Sequence, residues 1–267
     1  MIRIALLILA LTFPFAAPAQ VMSQDEVLSA EILPGWRTAD GRHMAALSLT
    51  LAPDWKTYWR TPGVAGLPPV FDFTGSRNVG AVVMHWPRPE VLYIGDMISV
   101  GYDQRLVLPF EITLPDPTAP AEIRLQVDLG ICRDICIPAT LDLTAVLPLP
   151  GAPDAAITAA LQDQPLTGAE AGVAAISCQI EPIADGLRLT ARLTLPAQGG
   201  EEVVVVEPGD PSIWVSQPVT ARQGGTLIST TDLVGISGAP FVLDRSAVTV
   251  TVLSRSQAVE IKGCPAP

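Results

Sequence analysis

Apolar residues fall on every second position along much of the chain. Before Cys132, the residues Ile123, Leu125, Val127, Leu129 and Ile131 alternate with Glu122, Arg124, Gln126, Asp128 and Gly130. After Cys136, Ile137, Leu141, Leu143, Ala145 and Leu147 keep the odd positions, while Thr140, Asp142 and Thr144 take the even ones. Period-two alternation on both sides of a short polar break predicts two antiparallel strands joined as a hairpin. With Arg133, Asp134 and Ile135 as the loop, Cys132 stands directly opposite Cys136. Opposed residues share a face, so both sulfurs are expected on the even, polar side, away from the core. Opposed Cα atoms lie about 4.5–5.5 Å apart, inside the roughly 4.4–6.8 Å that a disulfide spans. The pattern therefore predicts a closable, accessible dithiol at a hairpin tip.

The same period places further strands over residues 44–51, 79–86 and 105–114. Residues 54–73 hold Pro62, Gly63, Gly66, Pro68 and Pro69 and are expected to be irregular, as is the stretch 90–102. Loops of that length usually pack over something or carry function. Residues 151–172 read as a linker with one helix over 155–161, capped by Asp154. Beyond it, strands are predicted over 174–180, 187–195, 202–206, 226–230 and 247–253. Cys178 shares its face with Ile176 and Ile180 and should point inward. Cys264 has the parity of Glu260 and Lys262, so Gly263 must act as a bulge for its sulfur to turn inward too. A bond between them would tie the first strand of this half to the last. The long loop it closes would be worth at most roughly 4–5 kcal/mol.

Many short alternating runs, with frequent Pro and Gly and few charges, make this an all-β composition. The length suits two sandwich-sized domains, residues 26–150 and 173–267. Residues 1–19 have a positive start at Arg3, an apolar run and an Ala17-Pro18-Ala19 site, the pattern of a secretory signal peptide cleaved near Ala19-Gln20. No later stretch is apolar enough to insert in a bilayer. Export implies an oxidising compartment in which the four cysteines can pair. Acidic residues outnumber basic ones, 27 to 16, which argues against nucleic acid and anionic lipid as partners.

The spacing of Cys132 and Cys136 does not by itself separate a structural clip from a redox pair, because C-x3-C is not a specific motif. A bond closing so short a loop adds little stability, however, which favours exchange. Arg133 would lower a neighbouring thiol pKa and Asp134 would raise it. For Cys178 and Cys264 a structural disulfide is the better reading. His43-Met44 and Met84-His85 offer soft ligands, but neither histidine has ligand spacing with a cysteine, so no metal and no cofactor is expected. Trp55, Tyr58 and Trp59 are equally core anchors or cover for a site.

The runs DLGICRDICIPATLDL, WKTYWRTPGVAGLPPVFDF, HWPRPE and YDQRLVLPFEI resemble the N-terminal periplasmic domain of the thiol:disulfide interchange protein DsbD, closest to its copper-tolerance ScsB type. The tail IKGCPAP is similar to the ScsB type as well. The resemblance implies an immunoglobulin-like β-sandwich, here two joined by the short linker. It also implies periplasmic electron relay from a membrane-embedded DsbD- or ScsB-like thiol reductase to a thioredoxin-fold or other disulfide-bearing client. By the same resemblance Cys136 is the cysteine that meets partners and Cys132 the resolving one. Tyr93, with Ile94 and Gly95, matches the cap that shields the pair, and Trp59 falls where the family has an active-site aromatic. In DsbD the two cysteines are spaced more widely than here. ScsB continues into membrane and thioredoxin-like domains beyond the point where this sequence stops, so the electron source is expected to be a separate protein.

Overall fold

The computed structural model describes residues 23–94 and 97–267. The leader expected at 1–19, and Gly95 of the expected cap, lie outside the described residues. Fold class is as expected: the described residues are almost entirely β, and among them four sheets pair antiparallel throughout, save one short parallel pair.

The first half opens with one helical turn, α1 (Gln24–Val27). The strands β1 (Leu28–Arg37), β2 (His43–Leu51), β3 (Lys56–Tyr58), β4 (Val70–Asp72) and β5 (Val82–Met84) follow. Next come β6 (Glu90–Ile94), β7 (Met97–Asp103), β8 (Arg105–Ile112), β9 (Ala121–Cys132) and β10 (Cys136–Leu147). One sheet runs β1-β2-β8-β5; the other runs β10-β9-β3-β7-β6, with β4 also on β9. Between them lies the larger core, built from Leu47, Leu49, Leu108, Phe110 and Ile112 on one side and Ile123, Leu125, Val127 and Ile131 on the other. The odd positions of β9 are buried, as its alternation requires, and the even ones stay open only through Asp128.

Two stretches expected to be irregular contain strands. Residues 90–94 and 97–102 lie in β6 and β7, which pair antiparallel, and in β7 Ile98, Val100 and Tyr102 alternate with Ser99 and Gly101. Gly101 looks like a strand breaker but is there for space: a Cβ on it would stand 2.1 Å from the carbonyl oxygen of Thr57 in β3. Within 54–73, β3 and β4 are three-residue strands that both pair with β9. The proline-rich residues between them remain irregular.

A second departure concerns β2. Alternation predicts one buried face, yet Met44 and Ala46 are buried along with His43, Ala45 and Leu47 of the core face. The cause is α2 (Ala155–Gln162), whose Ile157 packs with Met44 and Ala46 on the outer side of the sheet. Asp154 starts this helix by accepting from the backbone N–H of Ala156 at 2.8 Å and of Ile157 at 3.1 Å.

Past α2 come β11 (Leu166–Thr167), β12 (Ala175–Ile183), β13 (Gly186–Thr194), β14 (Val203–Glu207) and β15 (Ile213–Val215). They are followed by β16 (Val219–Gln223), β17 (Thr226–Gly235), β18 (Thr249–Leu253) and β19 (Ala258–Lys262). They make the sheets β11-β19-β18-β14 and β12-β13-β17-β15, with β16 also on β17. A separate core fills the space between them, with Leu189, Val204, Val250 and Val259 at its centre. Val205, Leu253 and Ala258 face the other way and pack onto the core of the first half.

Candidate functional site

Cys132 ends β9 and Cys136 begins β10, and the two are paired in register, as the alternation predicts. They are joined by a disulfide with Cα atoms 4.1 Å apart. The expectation that both sulfurs are accessible is corrected by the structure. Cys132 is 1 % exposed, whereas Cys136 is an exposed residue. Strand order explains the difference. β10 is the edge of its sheet, so Cys136 has a neighbour on one side only. β9 is interior, and Cys132 is flanked by Lys56 of β3 on the side away from Cys136.

The even face of β9 is polar through Asp128, then is roofed over at its end. A Cβ added to Gly130 would lie 3.2 Å from Cβ of Leu67 and 3.3 Å from the ring of Tyr58. Tyr58 is the residue over the pair. Its hydroxyl stands 3.0 Å from Sγ of Cys132 and 3.5 Å from Sγ of Cys136, with the carbonyl of Ala65 farther off than the nearer sulfur at 3.4 Å. The hydroxyl has one proton to give, and the Cys132 sulfur is its nearest acceptor. Burial raises the pKa of Tyr58, which keeps that proton on oxygen. The ring is held from behind by Gly66, where a Cβ would come within 2.8 Å of it. Thr57 ties β3 to β9 by donating from its side chain to the carbonyl of Gly130 at 3.0 Å.

On the open side of the pair the loop presents Ile135, 66 % exposed. Arg133 donates to Asp134 at 3.0 Å and lies 5.5 Å from the ring centre of Trp55. Its charge is therefore partly spent on Asp134 and on the indole face instead of standing free beside a sulfur.

Residues 19–148 match the family model described as "Thiol:disulfide interchange protein DsbD, N-terminal". Cys132, Cys136 and Tyr58 all fall inside the stretch that matches DsbD. Cys178 and Cys264 fall outside it. Among solved structures, the chain is similar to the crystal structure of the N-terminal periplasmic domain of ScsB from Proteus mirabilis. The two share 22 % identity at a TM-score of 0.66, over 90 % of this chain and 92 % of that one. At that identity the likeness establishes the fold, and it does so across both halves. No curated protein matches the chain.

The other residues singled out from the DsbD resemblance are placed as follows. Trp59 is fully buried in the core of the first half, with the Arg60 guanidinium 4.3 Å from its ring centre. Successive residues of an extended chain point to opposite sides, so Tyr58 turns to the sulfurs and Trp59 turns away. Tyr93 is 53 % exposed on β6, where it pairs with Ile98. The β7 residue level with Cys132 is Asp103, through Lys56. Tyr93 is thus five positions along the sheet from the cysteines, roughly 17 Å at strand rise. Its pKa is raised by burial and by the carboxylate of Glu201, from the second half of the chain. Ile94 closes β6 beside it.

Cys178 and Cys264, 0 % and 1 % exposed, are joined by a disulfide with Cα atoms 5.5 Å apart. Gly263 breaks the parity of β19 with φ +83°, which turns Cys264 toward β12. Arg245 donates to the carbonyls of both cysteines, at 2.7 and 3.3 Å.

Alternation alone gives Tyr58 and Trp59 opposite faces. It does not say which face meets the sulfurs, because that is set by β3 pairing between β9 and β7. His43 and Met44 belong to packing: Nε2 of His43 bonds the carbonyl of Pro34 at 2.6 Å, and Met44 lies under α2. Among the described residues no three His, Cys, Asp or Glu side chains gather as metal ligands, and no helix is long and apolar enough to cross a membrane.

Proposed function

We propose that this chain is a periplasmic thiol-disulfide relay module, exported by a leader over residues 1–19. The sandwich of residues 26–150 would carry the exchanging pair and the sandwich of 173–267 would support it. The observation that carries this reading is the asymmetry of the pair. One sulfur is offered at a sheet edge and the other is shielded with a hydrogen-bond donor against it. The match of the surrounding residues to the DsbD N-terminal family supports it.

In the forward step a thiolate of a membrane-embedded thiol reductase attacks Sγ of Cys136. A bond forms between the incoming sulfur and Cys136, the Cys132–Cys136 bond breaks, and the electron pair leaves on Cys132. Tyr58 stabilises that leaving thiolate by donating to it. The second thiol of the reductase then attacks its own first sulfur and releases Cys136, which leaves the reductase oxidised and this chain a dithiol. Passing electrons on reverses the roles: Cys136 thiolate attacks a client disulfide, and Cys132 thiolate attacks Cys136 to free the reduced client. No cofactor takes part.

Equilibration against thiol buffers tests the reading. Structural disulfides sit below about −300 mV and labile exchange pairs above it, so the Cys132–Cys136 potential is expected above that mark. A lower value ends the relay reading.

A further inference from the structure

Arg60 and Thr61 follow the site tyrosine closely in sequence and reach into the second half of the chain. Arg60 donates from Nε and Nη2 to the two oxygens of Glu207, at 2.8 Å each, and from Nη2 to Glu260 at 2.6 Å. Thr61 adds a hydroxyl bond to Glu207 at 2.7 Å. Glu207 ends β14 and Glu260 lies in β19. Burial works against the charge of Arg60, but the hydrogen bonds and attraction of Glu207 and Glu260 outweigh it and raise its pKa, so the ion cluster stays charged. A planar guanidinium gripping one carboxylate through two bonds fixes direction as well as position.

The clamp sits two residues from the ring that covers the sulfurs. Farther along the same segment the chain is confined too: Gly63 packs against the carbonyl of Ile98, and Ile98 donates its N–H to the Gln217 side chain of the second half at 3.0 Å. The segment carrying Tyr58 is therefore anchored on β3 at its start and on the second half just beyond.

We infer that Arg60, Glu207 and Glu260 are positioning residues that hold the Tyr58 hydroxyl on Sγ of Cys132. The second half of the chain thereby sets the reactivity of a pair held entirely by the first. The use of that control in the cell rests on the proposed exchange role. The physical effect does not. A leaving thiolate of lower pKa departs faster, and a hydrogen bond to the charged form lowers its pKa. Loosening the clamp takes that bond away.

The test uses the full chain. In the Cys136→Ser background only Cys132 titrates while the Cys178–Cys264 bond stays closed, and thiolate absorbance follows its pKa. Tyr58→Phe is expected to raise that pKa. Glu207→Gln is expected to raise it in the same direction, and the double substitution to raise it no further than Tyr58→Phe alone. With both cysteines present, Glu207→Gln should slow reduction by dithiothreitol by roughly tenfold, the factor that about 1.4 kcal/mol makes. Glu260→Gln, which spares the bidentate contact, should act in the same sense but less; it carries the test if Glu207→Gln does not fold. An unmoved pKa, additive effects of the clamp and tyrosine substitutions, or faster reduction as from a released lid would each overturn the assignment. Because dithiothreitol and thiol titration need no protein partner, failure here is distinct from failure of the relay reading.

Discussion

Cys132 and Cys136 are chemically identical, and what separates them is which strand each occupies. The sulfur on the edge strand can be approached from solvent; the one on the interior strand lies under Tyr58 and beside Lys56. An attacking thiolate therefore meets Cys136. Cys132→Ser should let mixed disulfides with a disulfide-bearing partner accumulate, because the exposed Cys136 thiolate still attacks the partner's disulfide and this chain has lost the thiol that would resolve the product. Cys136→Ser should leave almost none. Non-reducing gels of the two variants after mixing with an oxidised, disulfide-bearing thioredoxin-fold protein would show the pattern, and its inversion would move the nucleophile to Cys132. His43 offers a separate check on packing. Its Nε2 must carry the proton, since the Pro34 carbonyl can only accept; Nδ1 is buried without a partner. Burial, and to a lesser degree the charge of Arg37, lower its pKa from 6.5, and burial lowers that of His85 in the same way. The unfolded chain then binds protons that the folded one refuses, so stability is full above about pH 6.5 and falls as the pH drops below it. The aspartates with lowered pKa titrate well below this window. Urea unfolding between roughly pH 7 and pH 5 should show the decline; a rise in stability toward acid would contradict the buried neutral imidazole.

Elements differ in how openly the sequence announces them. The β9–β10 hairpin is legible to the residue because one face is core and a slip of one position would turn every apolar side chain outward. Helix α2 is legible from its cap, and it supports a direct prediction. Asp154→Ala removes the acceptor for two backbone donors, so it should cost about 1 kcal/mol of folding stability. Chemical unfolding would read that loss, and a shift within error would mean the helix is held by Ile157 alone. The β6–β7 pair is not legible in this way, because Gly101, required by the close approach of Thr57, mimics a breaker. The same problem hides the cover of the site. β3 is three residues long, too short for any periodicity to register, yet its pairing with both β9 and β7 decides that Tyr58 faces the sulfurs and Trp59 the core. What the sequence leaves unsaid is long-range pairing and its consequences for side-chain direction; the same holds for the Arg60 ion cluster, whose partners lie 147 and 200 residues away.

Over the whole molecule, two disulfides of opposite character divide the labour. One closes a separation of 4 residues at an exposed hairpin tip; the other closes a separation of 86 between buried cysteines of the second core. Chain entropy makes the long closure worth up to about 4–5 kcal/mol and the short one much less. Access runs the same way, since a reductant reaches Cys136 without disturbing any packing, whereas Cys178 and Cys264 are sealed among Leu189, Val250 and Ile261. Graded dithiothreitol, followed by alkylation and mass measurement, should therefore open the bonds one at a time. After the first step two cysteines are labelled while circular dichroism and the thermal midpoint stay close to those of the oxidised protein, because the hairpin is held by its own register. The second step should require denaturant or heat and should lower the midpoint sharply. That order is what a relay needs, because the pair that cycles must open without loosening the second half, whose Glu207 and Glu260 hold the chain next to Tyr58. If both bonds opened together under native conditions, the second half would loosen with every turnover, and the division of roles between the two cysteine pairs would be wrong.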